Sequence, residues 1–370
     1  MSLKKKILYI SLRSGFGGAT MHVDQLIRSF SNDYDIYCAA PVEEPYGVKL
    51  LDELGREKYF VLPYRSFSIR YWIRLIFFIK RNKIDILHAH GKGAGIYARL
   101  AKLFTPKVCL IYTFHGLHIS HYSKLMKRFY ILLERILGKF TNQFINVSDG
   151  EKQDCLENKL FKESKSTVIH NAVERNTELK LTREELRHKL DLPANKFIVI
   201  SVVRFNLQKN VWEILEIAKK FTSNQNILFL IIGDGEEKEL IEKKINEDEI
   251  KNIRLTGYKK NVYEYLHSSD IFLSTSLWEG LPYSLIEAVQ AGLPVVASNV
   301  TGNNEVVTNN FNGYLFDLND RKKAIESILE LFSSPVKREL FGRNSKKVFD
   351  GKFQLESMLS KTKKVYSRCC

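Results

Sequence analysis

Two glutamates, Glu279 and Glu287, stand within the stretch Ser276–Ala288. Over the eight positions from Glu279 to Glu287 a helix would turn by ~800°, some 80° out of alignment, so the two are not a stacked pair on one helix. Pro282 is expected at the first helical position. That leaves Glu279 in a loop and Glu287 inside a helix, with the amides of Tyr283, Ser284 and Leu285 open to an anion. A loop carboxylate can accept hydrogen bonds from the hydroxyls of a neutral polar ligand, and a helical one accepting twice suits a vicinal diol such as ribose. Two surface glutamates at a loop–helix junction would look the same.

Other residues could join them. Arg204 closes the apolar run Phe197–Val203, and Lys209 follows just before a helix near Asn210. Two cations so placed would hold a diphosphate and neutralise its charge as it leaves; in isolation they also fit a solvated basic loop. Gly17 and Gly18 follow the first strand-like run, where glycines permit close backbone approach and a helix start offers amides. The pattern is not GxGxxG and no acidic residue closes the second strand, so NAD binding is weakly supported. His115 ends another strand-like run, either aimed at a ligand or simply bonded to backbone. His115, His118 and His121 have a metal-like spacing, but no nearby carboxylate or cysteine completes a site. Asp33-Tyr34-Asp35 matches a metal-binding acidic pair in form yet precedes a strand, and is read as chance.

Elements that could position these residues alternate along the whole chain. Short Val/Ile/Leu-rich runs, such as Ile7–Leu12, Asp35–Ala40, Ile84–His88 and Val108–Phe114, are separated by helix-length amphipathic segments. A polar interval near Ala172–Leu181 breaks the series, and the alternation restarts at Phe197–Val203 and Ile227–Ile232. Continuous apolar strands between helices mean parallel sheets covered on both faces. The expectation is an α/β fold of two Rossmann-like, doubly wound domains facing across a cleft, residues 1–172 and 173–352. A last amphipathic stretch, within 353–370, is expected to pack back on the first.

Composition narrows the class. Of 370 residues 44% are hydrophobic and 27% charged, a globular balance. No apolar stretch reaches the ~18–20 residues of a bilayer span, and Lys4–Lys6 lead straight into a strand, so no signal peptide is expected. Five scattered cysteines without a CxxC pair suggest neither a disulfide framework nor a zinc ribbon, and hence a reducing cytoplasm. The net charge of +15 is uneven: residues 1–170 hold 27 basic against 15 acidic groups, the remainder 30 against 27. Two segments, Ile69–Lys83 and Tyr122–Phe140, join aromatic and aliphatic residues at helical spacing to many cations. They read either as helices bound to an anionic membrane or as core-packed helices with solvated basic faces. No nucleic-acid module is recognisable.

The ordered set of motifs resembles the retaining GT-B-fold glycosyltransferases of the group 1 type, family 4, over nearly the whole length. The residues that carry it are Gly17-Gly18, Thr113–Gly116, Ile169–Val173, Arg204 to Lys209, Gly233-Asp234-Gly235, the Glu279/Glu287 pair, and Ala291–Ala297 to Glu305. Departures are modest: Gly-Leu-Pro follows Glu279, Ala172 replaces a common glycine, and Asn303-Asn304 replace a glycine-containing turn. The resemblance implies a nucleotide-sugar donor, a UDP-sugar by expectation, held by the second domain, and an acceptor held by the first. Arg204, Lys209, Gly17 and Gly18 would grip the diphosphate, with the Ser284 and Leu285 amides beside it. Glu287 would take the ribose, Glu279 the sugar hydroxyls, and His115 would lie near sugar and acceptor. The family retains anomeric configuration, and cations at the leaving group make a metal or other cofactor unnecessary. The family often extends lipid-linked capsule or O-antigen glycans, implying a cytoplasmic enzyme peripheral on the inner face of the cell membrane. A UDP-N-acetylglucosamine epimerase of the same architecture, or a non-catalytic nucleotide-sugar-binding scaffold, are the alternatives; a Rossmann oxidoreductase comes last.

Overall fold

The computed structural model describes residues 4–119, 122–176 and 181–369. His121, Cys370 and part of the 172–181 interval lie outside the described residues. Strands β1 (Lys6–Ser11), β2 (Asp35–Ala40), β3 (Tyr59–Val61), β4 (Ile86–His90), β5 (Cys109–Thr113), β6 (Gln143–Asn146) and β7 (Ser166–Val168) form one sheet, in the order β3-β2-β1-β4-β5-β6-β7. A second sheet holds β8 (Phe197–Val202), β9 (Ile227–Ile232), β10 (Ile253–Leu255), β11 (Ile271–Ser274), β12 (Val295–Ser298) and β13 (Gly313–Phe316), in the order β10-β9-β8-β11-β12-β13. Neighbouring strands run parallel throughout. Both sheets are therefore doubly wound, with strand order reversing between β1 and β4 and between β8 and β11.

The apolar runs form strands because helices cover both faces of each sheet: all six residues of β9 are buried. Some helices start at a side-chain cap, as at Ser148, whose side chain accepts from the Glu151 amide, and at Thr182, which forms a reciprocal capping box with Glu185. Two compact units result. One comprises the chain through Asn171 together with the residues from Glu356 onward, and the other is Ala172–Leu355. The final helix, Leu355–Ser367, belongs to the first unit from Glu356 onward. There the buried Tyr366 hydroxyl lies 3.0 Å from the Tyr9 hydroxyl and 2.8 Å from His88 Nδ1.

One reading of the sequence is corrected, and one of two alternatives is set aside. Cys109 and Cys369, 260 positions apart, are joined as a disulfide, while Cys38 and Cys155 are free and buried. Spacing alone conceals this pairing, because it depends on the return of the last helix to the start of β5. The helix Lys124–Gly138 does not turn its apolar row inward. Glu134 faces the interior instead, and its carboxylate forms a bidentate pair with the buried Arg99 at 2.6 and 3.1 Å, which fixes the helix's rotation. Leu125, Phe129, Leu132 and Ile136 consequently face outward.

Candidate active site

In doubly wound sheets ligands bind beyond the carboxyl ends of the strands where the order reverses. In the second unit those ends are the loops after β8 and β11. Lys209 Nζ lies 2.5 Å from Glu279 Oε1, joining the two loops. Gln208 Nε2 donates to the Trp278 carbonyl at 3.0 Å and to Glu279 Oε2 at 3.4 Å. The Leu277 amide donates to Gln208 O at 2.8 Å, and Thr275 Oγ1 to the carbonyls of Lys209 and Asn210 at 3.1 and 2.9 Å. The ion pair is mostly shielded, with side chains 19% and 6% exposed, so its charges act in a reduced dielectric. An ammonium has three donors, so one bond to Glu279 leaves donors for an anion.

Arg204 lies half-buried on the same loop. Its backbone is set by a neighbouring turn that tolerates no side chain: a Cβ on Gly233, at φ 148°, would stand 1.8 Å from the Val203 carbonyl oxygen. Phe205 donates its amide to Asp234 O at 2.9 Å, closing that contact. The Glu279 loop is braced in the same way, since a Cβ on Gly302, at φ 88°, would lie 2.5 Å from Gly280 O.

The helix after Glu279 spans Tyr283–Gln290, with Pro282 as its cap in extended conformation (φ −76°, ψ 126°), one position earlier than expected. The Leu285 amide donates to Pro282 O at 3.2 Å, so it is not the free donor the sequence suggested; the first turn closes on the cap's own carbonyl. The Ser284 amide has no partner among the described residues. Glu287 follows one turn later on the same side as Ser284. Burial pushes its carboxyl up to about 7, and no described residue pairs with it. Such a carboxyl is suited to a hydrogen-bonding ligand.

The first unit carries a separate group. Gly17 caps the helix Gly18–Phe30 without a side-chain bond to its amides, while Thr20 Oγ1 turns back to the carbonyls of Gly15 and Gly17 at 2.6 and 2.7 Å. His115 follows β5 with a left-handed backbone, φ 59°, uncommon outside glycine. Its Nε2 lies 2.9 Å from His90 Nδ1, and its ring meets that of His22 edge-on at 5.0 Å. The His88 ring lies tilted beside that of His90, centroids 4.1 Å apart, and His22 Nδ1 bonds Asn171 Oδ1 at 3.0 Å. Burial, reinforced by mutual repulsion, holds His88, His90 and His115 well below the ordinary imidazole value, and burial brings His22 to about 4. All four are neutral near pH 7. The buried Glu151 carboxylate accepts from the Gly116 amide and from Val147 N (2.8 Å), fixing the turn that carries His115. His118 directs Nε2 to the His115 carbonyl at 3.0 Å. Asp33 and Asp35 pair with Lys363 and Lys58 at 2.8 and 2.7 Å.

Comparison with known proteins follows the same division. Residues 16–177 match Glycosyltransferase Family 4, and residues 182–348 match Glycosyl transferases group 1. An Escherichia coli protein, UDP-Gal:alpha-D-GlcNAc-diphosphoundecaprenol alpha-1,3-galactosyltransferase, is 31% identical over 302 residues, covering 80% of this chain and 78% of its own. The chain belongs to the group 1, family 4 glycosyltransferases. Another E. coli relative, the O-antigen biosynthesis glycosyltransferase WbnH, is 29% identical over 314 residues, covering 83% of this chain and 85% of its own. The crystal structure of Anabaena HepE in complex with UDP and glucose superimposes with a TM-score of 0.85 at 17% identity, over 98% of this chain and 100% of that one, and shows the GT-B fold.

In this glycosyltransferase the residues that sequence reasoning missed are mostly supports. Gln208 and Glu151 carry no motif signal. His88 and His90 had one: alternate positions at the end of a strand share a face and converge with the strand-end His115.

Proposed function

We propose that this glycosyltransferase moves a sugar from a UDP-sugar to a hydroxyl of a lipid-linked or growing cell-surface glycan, in envelope polysaccharide biosynthesis, at the inner face of the cell membrane. The observation that carries the reading is the Lys209–Glu279 pair, 2.5 Å apart where strand order reverses in the second sheet. It sets a cation for a departing diphosphate beside a carboxylate for sugar hydroxyls. Support for the nucleotide comes from the galactosyltransferase relative, named for UDP-Gal, and from the HepE complex with UDP. Support for the acceptor comes from that relative's diphosphoundecaprenol substrate.

In this reading Arg204 and Lys209 stabilise negative charge on the leaving diphosphate, the Ser284 amide adds a donor, and Glu287 accepts from the ribose diol. Glu279, oriented by Lys209 and Gln208, accepts from the donor sugar. Gly17 and Gly18 offer uncapped amides to a phosphate oxygen. His115, neutral, lies near the acceptor and donates or accepts hydrogen bonds without adding charge. The diphosphate leaves from the face the acceptor approaches, its oxygen takes the acceptor's proton, and configuration is retained. Side-chain cations fill the electrostatic role a metal would otherwise take.

The test is UDP release from UDP-sugars with acceptor present. Lys209→Ala and Arg204→Ala are expected to lower turnover by at least ~100-fold with the fold intact. Unchanged turnover in both variants removes them from the mechanism, and conversion of UDP-sugar to an epimer without acceptor favours the epimerase.

A further inference from the structure

The second unit holds a cavity of about 370 Å³ at the amino ends of β8 and β11, within the size range of small-molecule sites. The Lys209–Glu279 pair lies beyond the carboxyl ends of the same strands, and the six residues of β8 alone put about 20 Å between the two places. One wall of the cavity is fixed by a buried side chain. Arg187 donates to the carbonyls of Ser268, Ala194 and Lys196 at 2.9, 2.7 and 3.0 Å, and to Asp270 Oδ2 at 2.9 Å. Asp270 also takes Arg183 Nη2 at 2.6 Å and the Ile198 amide at 2.7 Å. One carboxylate is thus shared between two arginines.

Arg338, on the helix Pro335–Lys352, has no such carboxylate. It is half-buried, its Nη1 donates to the carbonyls of Leu331 and Phe332 at 2.5 and 2.9 Å, and its guanidinium lies 5.2 Å from the centre of the Phe197 ring. These contacts hold the group still without neutralising it. Burial lowers it below its ordinary value, Asp270 offsets part of that, and Arg183 adds repulsion. Lys196 forms no ion pair with a described residue either. Four lining cations therefore face two carboxylates, Asp270 and the exposed Glu184. A cluster that only braced the fold would be complete with Arg183, Arg187 and Asp270; Arg338 and Lys196 are surplus to it. Surplus charge on the wall of a concave site draws an anion. Two guanidinium forks and an ammonium around one space match a tetrahedral phosphate. The remaining wall, with the Asn195 and Asn226 amides and the Phe332 ring, suits the hydroxyls and C–H face of a sugar.

We propose that this cavity binds a phosphate dianion, carried as the monoester of a sugar, at a site separate from that of the donor nucleotide. The proposal goes beyond the donor reading and does not rest on it. Occupancy ties the helix Arg183–Lys189 to Pro335–Lys352 and stabilises the second unit. The test is titration calorimetry of the full chain at about pH 8, where a phosphomonoester with a second pKa of ~6 carries both charges. Glucose 6-phosphate, inorganic phosphate and glucose are compared, each with and without saturating UDP. Glucose 6-phosphate is expected to bind whether or not UDP is present, and to bind Lys209→Ala as it binds the wild type; glucose is expected not to bind. Arg183→Gln/Arg338→Gln should bind it at least about tenfold more weakly, with circular dichroism unchanged. Lys196→Glu, which removes no bond of the fold, should weaken it as much and decides the matter if the double variant unfolds. Wild-type affinity in either folded variant overturns the site. So does no binding at ~10 mM ligand. Loss of binding with UDP or in Lys209→Ala overturns it too, by assigning the anion to the diphosphate site. Equal affinity for inorganic phosphate and glucose 6-phosphate upholds the anion site and makes free phosphate its occupant.

Discussion

At neutral pH the Glu287 carboxyl, raised from 4.5 to about 7 by burial, holds a proton about half the time. The folded chain thus keeps a proton the unfolded chain has already released. The stability this confers is complete below about 4.5 and is lost as pH rises through about 7. Hydroxyls of a bound diol donate to the ionised form, so the sign reverses for binding: UDP affinity should climb between about pH 6 and about pH 8, with proton release below neutrality. Glu287→Gln should weaken binding and flatten that profile. Titration calorimetry in buffers of different ionisation enthalpy measures the released proton; a pH-independent wild type would take Glu287 out of the nucleotide site. At this scale the sequence revealed chemistry better than pairing. Glu279 and Lys209 were both legible as candidates, but their direct contact depends on two loops 70 positions apart in sequence that the pairing of β8 with β11 brings side by side.

The loops that hold these residues are shaped by what they exclude. A methyl on Gly233 would overlap the Val203 carbonyl and displace the backbone of Arg204; one on Gly302 would press on Gly280, next to Glu279. Gly233→Ala and Gly302→Ala should each lower the unfolding free energy in chemical denaturation by about 1–3 kcal/mol, and cut turnover more than UDP affinity. Wild-type turnover in both would mean the loops relax freely. Among the helices, Lys124–Gly138 hangs on one buried pair. Glu134→Ala strands the Arg99 guanidinium without its partner and should cost about 3–5 kcal/mol in chemical denaturation, whereas Arg99→Met/Glu134→Leu should recover most of it. The strands were readable because buried parallel strands are apolar throughout, and each expected run lies within two residues of an observed one. The rotation of Lys124–Gly138 was not readable. Periodicity reveals that a helix has an apolar face without saying whether core or solvent meets it, and here a single carboxylate decided.

Across the molecule the two units should respond to acid differently. The first contains four neutral imidazoles, His22, His88, His90 and His115, whose folded values lie below the ordinary 6.5. Their contribution to stability is complete above about 6.5 and is lost as pH falls toward the folded values, because the unfolded chain then takes up protons the folded one refuses. The second unit has His267, lowered to about 4, opposed by Glu287. Acidification toward about pH 5 should therefore open β1, β4 and β5 before β8 and β9, read by pulse proteolysis with mass spectrometry. Earlier opening of the second unit would refute neutral burial of the histidine group. The polar interval near 172–181 marks where the alternation of strands and helices restarts, whereas nothing in the sequence signals the Cys109–Cys369 bond, since it joins residues 260 apart.

The return of Tyr366 to Tyr9 and His88 also bears on biosynthesis. Domains ordinarily mature in the order they leave the ribosome. Here residues 172–355 can condense while the earlier-made segment still lacks its closing helix. The nascent polypeptide must keep β1 to β7 from aggregating for the whole translation of the later unit, and a premature stop near codon 354 would release a finished second half attached to an incomplete first.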